Sequence, residues 1–320
     1  MRPENSLWGT GGGVFCYHIG EIERILCSLK GMVFLDVREV LQRFDALLAE
    51  GRVREAGAWL DASAEECRKN GDYAAAVTVF NEIEGFWRAA GDRDRSFAAA
   101  ESAIALLESA GLTGGVDYAT TLLNYATAKS AFGYGEEALA LFRRAEVIYD
   151  ARLSENDYRF ASLYNNMAQS LLRLRRASEA ARYFNRSLAL LEHTEDSEDE
   201  KATCCVNLSF CLMAEGRFDE ARSHLDTAEK IFDVIPDSPH RSSMLAARGQ
   251  LEYLTKNYAA AVKYYENAAL SLEKRFGRRG SVYASSCRNC AKACEADGRT
   301  EEARIWRAAA ESADIARGGR

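Results

Sequence analysis

An all-α stack of antiparallel helical hairpins is the fold class this sequence predicts, on three observations. Only three prolines occur in 320 residues, and two of them, Pro236 and Pro239, share one short segment. Proline removes a helical amide proton and clashes with the preceding turn, so its scarcity leaves long stretches free to be helical. Five segments starting at Asn124, Asn166, Asn207, Ala247 and Asn289 align without gaps, 42, 41, 40 and 42 residues apart. Each period has room for two helices of about four turns and two short connections.

Columns of residue size hold the register. The first small column is Ala126, Ala168, Ser209, Gly249 and Ala291, and twelve residues later comes Ala138, Ala180, Ala221, Ala261 and Ala303. Seven further on is Ala145, Ser187, Ala228, Ala268 and Ala310. Small side chains let two helix backbones approach at the same point of every unit. A large column, Phe142, Phe184, Leu225 and Tyr265, lies between the last two and is broken by Arg307, next to Trp306.

Upstream, Gly51, Gly71 and Gly91 recur every 20 residues and predict turns between helices near 37–49, 53–69, 72–90 and 93–110. These make two less regular hairpins across 32–115, ahead of five regular repeats over 116–317. GDYAAAVTVF from Gly71 reads equally well as the second helix of a unit beginning near Ala58, so the hairpin phase stays open here. A single domain over 32–317, with no independent linker, is the expectation. The first 31 residues stand outside the repeat as an irregular or weakly helical extension. Either Met32 is the true start or this segment is a capping helix. The glycines at 11–13 lack the lysine and serine or threonine of a phosphate loop.

A net charge of -7, from 48 acidic and 41 basic residues, points away from nucleic acid. No apolar run reaches the roughly 18 residues of a membrane span, and no clean signal peptide opens the chain. Nine cysteines at irregular spacing read as reduced thiols of a cytoplasmic protein. Cys287, Cys290 and Cys294 share one helix face, but their columns hold large buried residues elsewhere, such as Leu122, Met167 and Leu171, so packing outweighs metal. Four scattered histidines and no readable catalytic arrangement predict neither an enzyme nor a cofactor. Lys129, Arg248 and Glu252 fall in apolar columns, which predicts snorkelling side chains or locally rotated helices.

GYGEEALALFRRA at Gly133, GRFDEARSHLDTA at Gly216 and GRTEEA at Gly298 carry a resemblance to the tetratricopeptide repeat family, in a longer-period form close to bacterial proteins built of such repeats alone. The resemblance covers roughly 37–317. It implies a right-handed superhelix whose first helices line a concave groove, and binding of protein or peptide there.

Asn124, Asn166, Asn207 and Asn289 stand two residues before the first small column, with Ala247 breaking the series. A two-residue step turns about 200° round a helix, so these side chains are expected to leave the tight contact and face the groove. An amide can pair with both the N–H and the C=O of an extended peptide. In similar proteins groove asparagines clamp a ligand main chain. The alternative is a bond to a neighbouring helix that shapes the superhelix. Ser162, Gln169, Arg173, Thr203, Phe210, Gln250 and Tyr253 are expected on the same stripe. Towards the C-terminus Arg288 and Lys292 flank Asn289 and suit an acidic segment or a free carboxylate. Three functions follow: an adaptor gripping a partner peptide, an architectural subunit bound through its convex face or ends (with self-association left open), and a peptide-sensing regulator without its own DNA-binding domain.

Overall fold

The computed structural model describes residues 36–278 and 280–318; the expected extension 1–31 and the alternative start at Met32 lie outside them. Among the described residues the chain is fourteen α-helices with no strand. It divides into two compact units, Met1–Arg176 and Ala177–Arg320.

The first unit holds α1 (Val37–Ala49), α2 (Val53–Lys69), α3 (Tyr73–Ala90), α4 (Arg93–Ser109), α5 (Val116–Ala131), α6 (Gly135–Arg152) and α7 (Arg159–Arg173). Its hairpins are α1/α2, α3/α4 and α5/α6, and the first helices α1, α3, α5 and α7 lie side by side. GDYAAAVTVF therefore opens a first helix, which settles the hairpin phase. The second unit holds α8 (Ala177–Leu191), α9 (Glu198–Ala214), α10 (Phe218–Val234), α11 (Arg241–Leu254), α12 (Tyr258–Phe276), α13 (Ser281–Ala296) and α14 (Thr300–Gly318). Its hairpins are α9/α10, α11/α12 and α13/α14, with α9 beside α11. Each unit is thus an all-α solenoid of helical hairpins.

One turn geometry recurs after every first helix. Gly51, Gly91, Gly133, Arg175, Gly216, Lys256 and Gly298 all have positive φ. At each, two successive amides donate back into the helix end: Gly91 N to Arg88 O and Asp92 N to Trp87 O, and likewise Arg175 N to Leu172 O and Arg176 N to Leu171 O. This double closure, the Schellman motif, satisfies carbonyls that a helix end leaves open.

The residue columns form the interior. Phe142, Phe184 and Leu225 are fully buried and Tyr265 nearly so, and the alanines of the small columns are 0–2% exposed. Burying a large apolar side chain is worth about 1.5–3 kcal/mol, so repetition of these columns stabilises each hairpin.

The misfit charges are held, not rotated outward. Arg248 and Glu252, both nearly buried, reach from α11 to the preceding helix α10, where Asp226 and Glu229 accept from Arg248 and Glu252 accepts from Arg222. Burial pulls the Arg248 pKa down, but its bonds to Asp226 and Glu229 outweigh that and raise it. Lys129 lies over the rings of Phe97, Tyr125 and Tyr134, 4.9–5.2 Å from their centres, while its ammonium meets Glu137 at 2.7 Å.

Candidate functional site on the first helices

The first helices α5, α7, α9, α11 and α13 bury much of their circumference and leave a stripe at the surface. On α5 the stripe runs through Thr120, Asn124, Thr127 and Ala131, spaced three or four apart, as a helix face requires. On α7 it runs through Ser162, Asn165, Gln169 and Arg173. Asn166 sits at its edge, 4% exposed, and its Nδ2 donates to the Ser162 carbonyl at 3.0 Å. That amide nitrogen is occupied by its own helix. Asn124 is half-buried on the open stripe.

In the second unit the α9 stripe is Thr203, Asn207 and Phe210, all half-buried, and the α11 stripe carries exposed Gln250 and Tyr253. The Tyr253 ring leans on Tyr258, centres 5.4 Å apart. On α13, Asn289 is half-buried while Arg288 and Lys292 are exposed. Arg288 donates to Asp314 at 2.8 Å and to Ser285 at 3.2 Å, so part of the basic character at this end is neutralised.

The regular turns extend the amide column further than the aligned repeats do. Asn124, Asn166, Asn207, Ala247 and Asn289 each precede the positive-φ residue of their turn by nine positions. Counting nine back from Gly91 and Gly51 reaches Glu82 and Gln42. Sequence reading missed both, although the two glycines were the signal that could have located them.

Glu82 gives the first unit a distinct electrostatic character. Burial, then the charges of Asp45 and Glu84, push its carboxyl up to about 8. Burial also pushes the Glu84 carboxyl up to about 7, against the pull of Arg88. Glu84, 1% exposed, accepts from Arg88 Nε at 3.1 Å and faces the Ser96 hydroxyl at 3.5 Å. Arg173 reaches over to α5, where its Nη1 donates to Ser130 Oγ at 3.2 Å. Arg173 remains accessible, yet the protein round its head group pushes its pKa down, and the like charge of Arg88 adds to this.

Cys287, Cys290 and Cys294 lie in the α12–α13–α14 core against residues such as Val262, Leu272 and Ala303. Burial raises all three thiol pKa values, which disfavours the thiolate a metal or a redox reaction needs. Among the described residues no group of three or more His, Cys, Asp or Glu could hold a metal ion. Among them, too, no helix is long and apolar enough to cross a membrane.

The family model of the tetratricopeptide repeat matches residues 159–233 and 201–269. No curated protein matches the sequence. Solved structures share the fold. BtubC (BKLC) from P. vanneervenii aligns at TM-score 0.57 and 17% identity, covering 71% of this chain and 93% of that one. The apo form of RapI aligns at 0.57 and 14%, covering 84% and 74%. A tetratricopeptide repeat protein from Parabacteroides merdae ATCC 43184 aligns at 0.55 and 17%, covering 87% and 93%. At these identities the likeness is one of fold.

Proposed function

We propose that this chain of tetratricopeptide-type repeats is a non-enzymatic protein-binding scaffold that holds an extended segment of a partner on the first-helix face. The observation that carries the reading is the polar stripe itself. In the first unit Thr120, Asn124, Thr127, Ser162 and Gln169, and in the second Asn207 and Gln250, reach the surface from helices whose other faces are core. Amide and hydroxyl groups so placed gain little from packing, and they suit a main chain, which offers an N–H and a C=O at each residue. A cytosolic setting suits seven buried cysteines that carry no disulfide.

A second reading, an architectural subunit, has its own observation. Val147, Val234, Leu270 and Ile305, all on second helices, are 55–82% exposed. Site-specific photo-crosslinkers separate the two. Placed at Asn124 and Gln250 they are expected to capture a partner in cells, and at Val147 and Leu270 to capture none. Capture from the second-helix positions alone would replace the scaffold groove with the architectural subunit.

A further inference from the structure

We infer that the joint between the hairpins α9/α10 and α11/α12 is a hinge of the second unit, closed by ion pairs where the neighbouring joints of that unit are closed by apolar contacts. The inference stands whatever the first-helix face binds.

At each joint the second helix of one hairpin meets the first helix of the next. Where α10 meets α11, Arg222 donates to Glu252, and Arg248 donates to Glu229 at 2.9 Å and to Asp226. One repeat later the places of Arg222, Glu229, Arg248 and Glu252 are held by Val262, Ala269, Cys290 and Cys294, all buried in the core of α12, α13 and α14. One repeat earlier, where α8 meets α9, they are held by Ala181, Leu188, Leu208 and Leu212. The two kinds of joint respond differently to opening. An apolar joint exposes hydrophobic surface to water in proportion to the area parted. Opening the charged joint returns hydration to Arg248 and Glu252, which are 5% and 6% exposed when it is closed. That hydration largely offsets the Coulomb attraction lost. Closure also leaves a donor unanswered, because Arg248 Nε is buried and meets no acceptor among the described residues. Leu225 and Phe232 on α10 and Leu251 on α11 remain fully buried and keep the joint closed at rest. Since α9 and α11 carry Asn207, Gln250 and Tyr253, motion here alters the spacing of two stripes on the first-helix face.

Spin labels carried on unnatural side chains, which leave the native cysteines untouched, test this by double electron–electron resonance. Lys230, Leu270 and Ser312 are exposed and stand at one place of the repeat on α10, α12 and α14. Labels at Lys230 and Leu270 therefore span the charged joint as labels at Leu270 and Ser312 span the apolar one. In the wild type the first pair is expected to show a second, longer-distance population that the second pair lacks. That population should grow at about 1 M salt, where the screening length falls to about 3 Å, while the second pair stays unchanged. Arg222→Ala with Glu229→Leu, Arg248→Leu and Glu252→Leu copies the joint of α8 and α9, and is expected to remove the longer population and its salt response. Asp226→Asn with Glu229→Gln keeps the side-chain shapes and is expected to enlarge that population, because Arg248 then lacks its counter-charges. Circular dichroism checks the helix content of both variants, and the wild-type comparison decides even where the fourfold exchange does not fold. A Lys230–Leu270 distribution as narrow as that of Leu270–Ser312 at both salt concentrations overturns the hinge. So does a longer population that survives the fourfold exchange in a folded protein.

Discussion

The Tyr265 ring lies so close to Gly249 that a methyl group on the glycine would sit 2.8 Å from the ring. The two residues belong to the first small column and the large column, sixteen residues apart, and they meet inside the α11/α12 hairpin. The preceding hairpin fills the same columns with Ser209 and Leu225. Glycine at this point is thus the counterpart of a tyrosine, where three other units have Phe or Leu facing Ala or Ser.

Gly249→Ala tests the relationship because two effects oppose. Helix propensity alone favours alanine by about 1 kcal/mol. The clash with a nearly buried ring costs about 1–3 kcal/mol. The expected result is net destabilisation, read as a lower urea midpoint. Adding Tyr265→Leu recreates a pairing close to that of the preceding hairpin and is expected to recover most of the loss. A stabilised single variant would show that the ring moves aside freely.

At Arg175 and Lys256 the recurring turn is made by residues with side chains, at φ of 61° and 65°. A side chain in this region costs about 1–2 kcal/mol, partly offset by the lower entropy of the unfolded chain relative to glycine. Arg175→Gly and Lys256→Gly are therefore each expected to stabilise by about 0.5–1 kcal/mol. Gly133→Ala, at φ 92°, is expected to do the reverse. Thermal unfolding midpoints of the three variants measure this, and identical midpoints would mean that the turn tolerates any residue.

Much of this fold was legible because its signals are local and repeated. The expected helix 53–69 is α2, and the expected 72–90 is α3 with Asp72 as its cap, accepting from Ala75 N at 3.1 Å. Stripe positions such as Gln169, Asn207 and Gln250 also followed from helical spacing. What stayed hidden depended on neighbours distant in sequence. The partners of Arg248 lie on the preceding hairpin, Asn166 turns its amide back on its own helix, and Glu82 enters the column only once the turn at Gly91 fixes the count. Aligned residue types do not report a side chain's direction at the edge of a stripe.

Arg248 occupies a column that holds Tyr125, Met167, Leu208 and Cys290 in other hairpins. Its side chain is 6% exposed, whereas those of Asp226 and Glu229 are 51% and 34% exposed. Removing the arginine leaves two carboxylates that water can reach. Removing the carboxylates leaves a guanidinium that it cannot. Arg248→Leu is therefore expected to change stability by less than about 1 kcal/mol, whereas Asp226→Ala with Glu229→Ala costs about 3 kcal/mol. Urea titrations of both variants compare the two directly, and equal losses would refute the asymmetry.

Stability should fall as pH rises through neutrality, and Glu82 should be a main cause. Its ordinary pKa of 4.5 is raised to about 8 on folding, and that of Glu84 to about 7. Between these limits the folded chain holds protons that the unfolded chain has released, so stability decreases with pH. The contribution is fully present below about 4.5 and lost by the time pH passes about 8. Asp45 and Asp61, also raised by burial, act in the same sense at lower pH. His224 opposes them, because burial lowers its pKa, but that effect is complete by about 6.5. The range from about 6.5 to 8 therefore isolates the two glutamates. Glu82 faces Asp45 from α1 and Glu84 and Arg88 from its own helix. Glu82→Gln keeps the shape of the neutral acid and removes the titration, so its urea midpoint should vary less with pH than that of the wild type. Glu84→Gln is a poorer probe, since it also deprives Arg88 of its counter-charge. If Glu82→Gln and the wild type lose stability in parallel across this range, Glu82 is ionised in the folded chain and the column holds a charge at this position rather than a neutral donor and acceptor.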